Sequence, residues 1–583
     1  MIQVDNLSYS LPEKVLYKNA SFTIEDRRHC ALIGSNGCGK TTLIDLMLHR
    51  DDYICSGKVK LSDVNRVSYV NQFVVHQKDR SISVYDYLCE DFVQMQAEMD
   101  RLCEELETAE DSDAAMELYQ QKLDEFMAID GYDHEVNILK QLKAAGLEAL
   151  RDTDLCVISG GEYKLIQILR QMLRLPDLLI MDEPDVFLDF ENLNSLRILI
   201  NSYPGTILAA THNRYLLNNC FDKILQIENS EIQEYDGSYI DFCLTQLQMK
   251  IAMQELSKKE ADFISYEEAV VERMRDDATK HDSLKKGKTL HARVSYIERW
   301  KARHIKEPYI ESRMPDIRLP DIDEELDPSE NAISVENYSV SFSKPLLENV
   351  SFELKPGDKA ALVGANGTGK TTLLRDIWHA DKDSITVSDA LRTSFLSQFH
   401  SETLDESLTI WEYMQTLGFE VRAQAEEYLE AYCFDEDVLD RRICHLSGGE
   451  KNLLQLAGIS TTDSSLLLLD EPTSHLDLRA QIALENAVLN YKGTVLMVSH
   501  DFYTIANCMD YVLFAENNTI RKMSLRAFRK MIYKRHFPAD YLELEQRKKE
   551  LEIQINTALK ASDYELAKSI CVKLEDVVSM MQN

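Results

Sequence analysis

The chain has 583 residues, 44% of them hydrophobic and 28% charged, with a formal charge of -35. That length exceeds what one hydrophobic core supports, so two or more domains are expected. No apolar run approaches the roughly 20 residues that span a bilayer, the twelve cysteines form no C-x-x-C pair and argue against a zinc ribbon or a secreted disulfide scaffold, and uniformly spread acid would repel nucleic acid.

The start, MIQVDNLSYS, has no basic stretch followed by an apolar run, so a cytoplasmic protein is expected. Next, HCALIG reads as a buried strand, GSNGCGKTT as a loop and TTLIDLML as a helix. In G-x-x-x-x-G-K-[ST] the backbone amides wrap a phosphate chain, the lysine reaches the terminal phosphates and the hydroxyl takes a Mg²⁺ position. This assigns Gly34, Asn36, Gly37, Gly39, Lys40, Thr41 and Thr42 to the phosphate cradle. Gln72 in VNQF is expected to sense metal and water.

From Asp86 to Phe126, fourteen acids stand against two bases, and Leu88, Phe92, Met95, Met99, Leu102 and Leu106 alternate four- and three-residue steps. That pattern predicts a helical hairpin with one apolar seam and a solvated acidic face. ISGGE follows with Ser159, Gly160 and Gly161. In LLIMDEP a buried strand ends at Asp182, placed for Mg²⁺, and Glu183, placed to polarise water. His212 follows the strand GTILAAT, from which an imidazole can reach a γ-phosphate.

The stretch 241–325 has no proline before Pro308 and predicts two antiparallel helices turning near Gly287, an arm on the order of 60 Å long. At its turn, KKGKTLHARVSYIERWKARH sets seven bases against Glu298 alone. Lys285, Lys286, Lys288 and Arg293 are the expected RNA contacts, because a basic tip lets one small surface approach RNA while the acidic body stays away; the alternative is a solvated linker face.

Every motif then recurs. GANGTGKTT supplies Gly364, Asn366, Gly367, Gly369, Lys370, Thr371 and Thr372; LSQF supplies Gln398; LSGGE supplies Ser447, Gly448 and Gly449; LLLLDEP supplies Asp470 and Glu471; GTVLMVS leads to His500. The lysines are offset by 330, whereas Ser159 and Ser447, Asp182 and Asp470, and His212 and His500 all keep 288. The chain is a tandem duplication. Its first copy carries 42 extra residues, mostly after Gln72. Beyond HFPAD, 541–583 reads as a helical pair broken near ALKASDYE.

Glycine loop, glutamine, SGGE, D-E-P and histidine, in that order and twice, resemble the nucleotide-binding domains of the ATP-binding cassette superfamily. The resemblance implies an α/β fold of two P-loop cassettes, ATP and Mg²⁺ as cofactors, and ATP hydrolysis. It also implies head-to-tail pairing within one monomeric chain. One composite site then joins Lys40, Thr41, Gln72, Asp182, Glu183 and His212 to Ser447, Gly448 and Gly449. The other joins Lys370, Thr371, Gln398, Asp470, Glu471 and His500 to Ser159, Gly160 and Gly161.

Two cassettes in one chain, the helical linker, EPTSHLD at Glu471 to Asp477 and IQEYDGSYIDF are similar to the ABC-F proteins. The domains this implies are a first cassette over 1–240 with an acidic insertion near 85–130, the linker over 241–325, a second cassette over 326–538 and a C-terminal extension over 539–583. Expected partners are the ribosome, with its RNA and P-site tRNA, and neither membrane nor DNA. The family's linker enters from the tRNA exit site, modulating translation or displacing antibiotics. The alternative is an ATP-binding subunit energising a separate transporter. Copy one departs from the family pattern in EPDVFLD, with Asp185 for Thr and Phe187 for His. Aligning VDNLSYSL with VENYSVSF pairs Leu11 with Phe342, the expected adenine-stacking ring of site two. Site one either stacks the base on Tyr9 or stacks it poorly, so unequal turnover is expected.

Overall fold

The computed structural model describes residues 2–11, 14–61, 64, 66–72, 81–108, 112–186, 188–280, 291–299, 314–322, 330–342, 345–435, 438–536 and 541–582. Contacts divide the chain into two units, Met1–Ser238 with Met314–Ile532, and Tyr239–Arg313 with Tyr533–Asn583.

The first unit holds both copies of the repeat. Copy one runs β1 (Ile2–Ser10), β2 (Val15–Ile24), β3 (His29–Gly34), α1 (Lys40–Leu48), β4 (Ser56–Leu61) and β5 (Val67–Val70). It continues through α2 (Val84–Thr108), α3 (Ser112–Ala128), α4 (His134–Ala144), α5 (Gly160–Leu173), β6 (Leu178–Asp182), α6 (Phe190–Ser202), β7 (Thr206–Ala210), α7 (Arg214–Cys220), β8 (Lys223–Glu228) and β9 (Glu231–Asp236). Its main sheet has the order β5-β6-β7-β3-β8-β9, parallel except for β9. Every residue of β6 and β7 is buried, as expected of parallel strands covered on both faces, and this explains their unbroken apolar sequences. A small antiparallel sheet, β2-β1-β4, packs with α1 over the same core.

α2 and α3 form the acidic hairpin. Leu88, Phe92, Met99, Leu102 and Phe126 are buried along its seam. Asp91 of α2 ties it to α5 by accepting from Arg170 Nη2 at 2.5 Å and from Arg174 Nε at 2.9 Å.

The second unit begins with α8 (Tyr239–Lys280), 42 residues with neither proline nor glycine to interrupt them. Residues 291–299 form α9, where Val294 and Ile297 pack with Ile264 and Val271 of α8. Arg293 forks onto Glu267 through Nε and Nη2 at 2.7 and 2.8 Å.

Copy two, in the first unit, repeats the plan. It runs β10 (Ile333–Ser341), β11 (Pro345–Leu354), β12 (Lys359–Gly364), α10 (Lys370–His379), β13 (Ile385–Val387), β14 (Thr393–Leu396), α11 (Ile410–Thr416), α12 (Arg422–Glu430) and α13 (Gly448–Ser460). It ends with β15 (Leu466–Asp470), α14 (Leu478–Asn490), β16 (Thr494–Val498), α15 (Phe502–Cys508), β17 (Tyr511–Glu516), β18 (Thr519–Ser524) and α16 (Leu525–His536). The sheet order β14-β15-β16-β12-β17-β18 matches that of copy one strand for strand.

Back in the second unit, α17 (Tyr541–Lys560) and α18 (Tyr564–Gln582) break at Ser562, whose φ of 56° is left-handed. They close a core with α8 in which Leu551, Ile555, Ile570 and Leu574 meet Ile240 and Ile251. Lys568 Nζ reaches Glu255 Oε2 at 2.5 Å. Ile555 is fully buried there, so Ile555→Ala should cost roughly 2–5 kcal/mol and speed amide exchange through α17 and α18. Unchanged protection in those helices would contradict this packing.

Candidate active site

Both parallel sheets present their functional residues at the carboxyl ends of their strands, where doubly wound sheets place ligands. β3 leads through Gly37 and Gly39 into α1, and β12 through Gly367 and Gly369 into α10. These glycines have φ of 68°, 104°, 77° and 88°, a region that a side chain disfavours. Lys40 Nζ donates to the Gly34 and Ser35 carbonyls at 3.0 and 3.2 Å, and Lys370 Nζ to those of Gly364 and Ala365 at 2.8 and 2.7 Å. Thr41 Oγ1 donates to Asp182 Oδ2 at 2.7 Å, and Thr371 Oγ1 to Asp470 Oδ1 at 3.2 Å. Thr42 and Thr372 stand in the first turns of the helices that follow.

Directly after each aspartate comes a glutamate with a left-handed backbone, at φ 45° for Glu183 and 48° for Glu471. Non-glycine residues rarely adopt this conformation, and they do so at sites where surrounding contacts fix it. Here the amides of Glu183 and Glu471 are held by the carbonyls of Ala210 and Val498 at 2.8 and 2.9 Å. Gln72 Nε2 donates to Glu183 Oε2 at 2.5 Å, while Glu471 faces His500, whose Nε2 lies 3.5 Å from Oε1.

The two copies pair head to tail. Asp477 caps α14 through Oδ1, which accepts from Ala480 N at 2.9 Å, and its Oδ2 accepts from Asn36 N in the opposite glycine loop at 3.1 Å. Asp189 mirrors it: Oδ1 accepts from Asn192 N and Oδ2 from Asn366 N, both at 3.0 Å. Asn36 Nδ2 also donates to His475 O at 2.7 Å. Gly449 lies against the first glycine loop, where an added Cβ would collide with the Asn36 side chain and with His475 O. Ser159 and Ser447 each close a capping box with Glu162 and Glu450, which fixes the helix ends that carry the two signatures. A cavity of about 630 Å³ is lined by Ser159, Gly160, Gly161, Glu183 and His212 from one copy and by Gly369, Lys370, Thr371, Gln398, Glu471 and His500 from the other.

Burial shapes the electrostatics. It pushes Asp470 up to about 6, and with Asp470 beside it Glu471 rises to about 8. Burial also acts on Glu183, but His475, Lys40 and Gln72 together outweigh it and hold that carboxyl below the usual range. His475 Nδ1, contributed by the opposite copy, lies 3.8 Å from Glu183 Oε2. His212 and His500 are kept neutral, well below the usual imidazole value, by burial and by Lys40 and Lys370 respectively. Both ring nitrogens of His212, Nδ1 of His500, Oδ2 of Asp470 and Oε1 of Glu471 are buried without a hydrogen-bond partner among the described residues. Buried polar atoms left open in this way call for a polar ligand. A polyphosphate with a hard cation fits them, offering oxygens to the imidazoles and a cation to the carboxylates.

Some expected residues fall elsewhere. Phe342 is 73% exposed and is absent from the cavity lining, which includes Leu346 and Phe399 instead. Tyr9 packs edge-on against Tyr53, and Leu11 is exposed. Lys285, Lys286, Lys288 and Phe187 lie outside the described residues, and Arg293 is engaged by Glu267. Sequence reasoning passed over His475, Asp189 and Asp477 as interface residues, although the contrast between EPTSHLD and EPDVFLD marked His475 and the Asp that ends both stretches marked the other two. It also passed over Arg214. That guanidinium bonds to Glu485 and to Asp501, the latter at 2.8 Å, and lies 4.9 Å over the Tyr503 ring in the opposite copy.

A family model described as ABC transporter matches residues 17–186 and 347–474. The chain is 30% identical over 524 residues to the energy-dependent translational throttle protein EttA of Escherichia coli K12, covering 86% of this chain and 89% of that protein. It is 29% identical over 527 residues to the probable ATP-binding protein YheS of Haemophilus influenzae, covering 88% and 78%. Its fold is similar to the archaeal ribosome recycling factor aABCE1 in a crystal structure with the stalk protein aP1, with a TM-score of 0.55 at 17% identity over 91% and 92% of the two chains. Fold, duplicated loops and signatures define an ATP-hydrolysing member of the ATP-binding cassette superfamily. Within it, the chain belongs to the ABC-F family, with both cassettes in one polypeptide.

If Glu183 and Glu471 are the hydrolytic carboxylates, the double substitution Glu183→Gln with Glu471→Gln should retain ATP binding. Hydrolysis should slow by roughly 10² to 10³, as on losing a positioned catalytic group. Phosphate release near the wild-type rate would remove both residues from that role.

Proposed function

We propose that this protein is an ATPase of the cytoplasm that acts on the ribosome. ATP-driven closure of the cassettes would modulate translation there or displace ribosome-targeting antibiotics. The observation that carries the reading is the arm. α8 alone spans about 60 Å at 1.5 Å per residue, and in sequence it joins two cassettes already paired with each other, an arrangement suited to reaching into a large partner. The name of the E. coli relative, an energy-dependent translational throttle, agrees with it.

In this reading ATP and Mg²⁺ occupy both composite sites. Lys40 with Thr41 and Lys370 with Thr371 hold the phosphates, and Asp182 and Asp470, with Gln72 and Gln398, hold the cation. The cation, when bound, neutralises charge on the phosphates. Glu183 and Glu471 orient the attacking water, and the neutral His212 and His500 stand ready to donate to the terminal phosphate. Ser447–Gly449 and Ser159–Gly161 complete the sites from across the interface. The arm docks near the tRNA exit site, where its basic strip contacts ribosomal RNA close to the P-site tRNA.

Cosedimentation with ribosomes tests this proposal. The Glu183→Gln, Glu471→Gln chain should be retained with ATP, and retention should fall steeply with salt as counterion release is lost. Replacing Lys285, Lys286 and Lys288 by Glu should weaken retention and flatten the salt slope while ATPase activity persists. Cosedimentation unchanged by the triple substitution would show that the strip makes no RNA contact, and no retention of the double variant at any salt would remove the ribosome from the reading. Drug susceptibility on deletion and on expression then distinguishes a resistance role from a translational one.

A further inference from the structure

One buried cation is left without a role in hydrolysis as described above. Lys164 is the fifth residue of α5 and only 3% exposed. Its ammonium donates to the Gln72 carbonyl at 2.7 Å and to the carbonyls of Asn71 and Glu183 at 3.3 Å each. Those carbonyls belong to the loop that carries Gln72 and to the residue after Asp182, the two segments that meet through the Gln72–Glu183 hydrogen bond. One turn before Lys164, the N-terminal end of the same helix is Ser159–Gly161, which lines the cavity together with Lys370 and Thr371 of the second site. One short helix therefore holds the backbone of the first site and presents the signature of the second.

Cassette two has no such cation. Counted from the signature serine, Lys164 corresponds to Asn452, whose amide donates to Ser474 O at 2.5 Å. The residue two after the glutamate differs in step: Asp185 in cassette one, Thr473 in cassette two. Asp185 is half-buried, accepts from Thr211 Oγ1 at 2.6 Å, and has the Lys164 charge nearby. A half-buried acid thus accompanies a buried cation in one cassette, and two neutral side chains take their places in the other, as expected if an unbalanced charge away from water is costly.

We propose that Lys164 is a positioning residue that transmits the nucleotide state of the first site to the Ser159–Gly161 signature of the second through a buried cation, whereas the matching helix of the second cassette is tied to its own loops by the neutral side chains of Gln455 and Asn452. Coupling in equilibrium binding is necessarily reciprocal, so this directionality belongs to turnover. The inference rests on the two-site reading above.

Hydrolysis by the full chain with one site disabled tests it. Glu183→Gln reports site two while site one is held on nucleotide, and Lys40→Ala reports site two while site one is empty. Their rate ratio is the forward effect; Glu471→Gln against Lys370→Ala gives the reverse effect. In otherwise wild-type protein the forward ratio should be roughly tenfold, and introducing the cassette-two pair, Lys164→Asn with Asp185→Thr, should reduce it to within about twofold. The reverse ratio should not change, and Lys164→Arg, which keeps a buried cation with several donors, should preserve the forward effect. Should the paired substitution prevent folding, Lys164→Gln supplies the same comparison. A forward ratio near one in wild type, a forward ratio that survives the exchange, or loss of both ratios together overturns the proposal. Failure of the two-site reading itself is distinguishable, because hydrolysis would then persist in the Glu183→Gln, Glu471→Gln chain.

Discussion

Two aspartates hold the ATPase together. Asp189 and Asp477 each use one carboxylate oxygen to cap a helix of their own cassette and the other to hold a glycine-loop amide of the opposite cassette. A carboxylate at a helix N-terminus is already favoured by the helix dipole, so the group that crosses the interface is oriented before the cassettes meet. Each glycine loop depends on the other cassette for its position, and each signature is brought against a loop it does not share a sheet with.

On that symmetric frame the two sites are chemically unequal. His475 approaches Glu183 from across the interface and helps keep it ionised, whereas Glu471 is buried beside Asp470 and pushed up to about 8. Arg214 joins Glu485 and Asp501 beneath the Tyr503 ring, while the matching position of cassette two is Phe502, which packs with Phe528. These differences share one origin. Duplication copied the strands, the glycine loops and the capping aspartates that pair the cassettes, whereas His475 and Arg214 are replaced by Phe187 and Phe502 at the matching positions.

The same division governs what was legible in the sequence. Strand, glycine loop and helix are local, and each motif is reinforced by its repeat, so the fold class and the residues at the strand ends could be read directly. The absence of proline and glycine made α8 readable, and ALKASDYE marked the break between α17 and α18 because a polar turn interrupts the apolar period. Contacts separated by hundreds of residues left no such mark. That Asn36 would bond to Asp477, or Arg214 to Asp501, depends on how the cassettes dock. Arg293 read as an RNA contact, and its pairing with Glu267 left no mark in the sequence because it is set by the register between α8 and α9. Phe342 was chosen by aligning VDNLSYSL with VENYSVSF, and the cavity lining takes in Leu346 of β11 and Phe399 after β14.

The central claim is that each signature serves the opposite cassette. Gly449→Ala tests it, because the added methyl collides with Asn36 across the interface. Introduced into the Glu471→Gln chain, where only the first site turns over, it should reduce the remaining hydrolysis by roughly 10²-fold through misplacement of the first glycine loop. Introduced into the Glu183→Gln chain, where only the second site turns over, it should leave most of the hydrolysis in place. The opposite pattern, with the first site spared and the second lost, would mean that each signature serves its own cassette and would contradict the account.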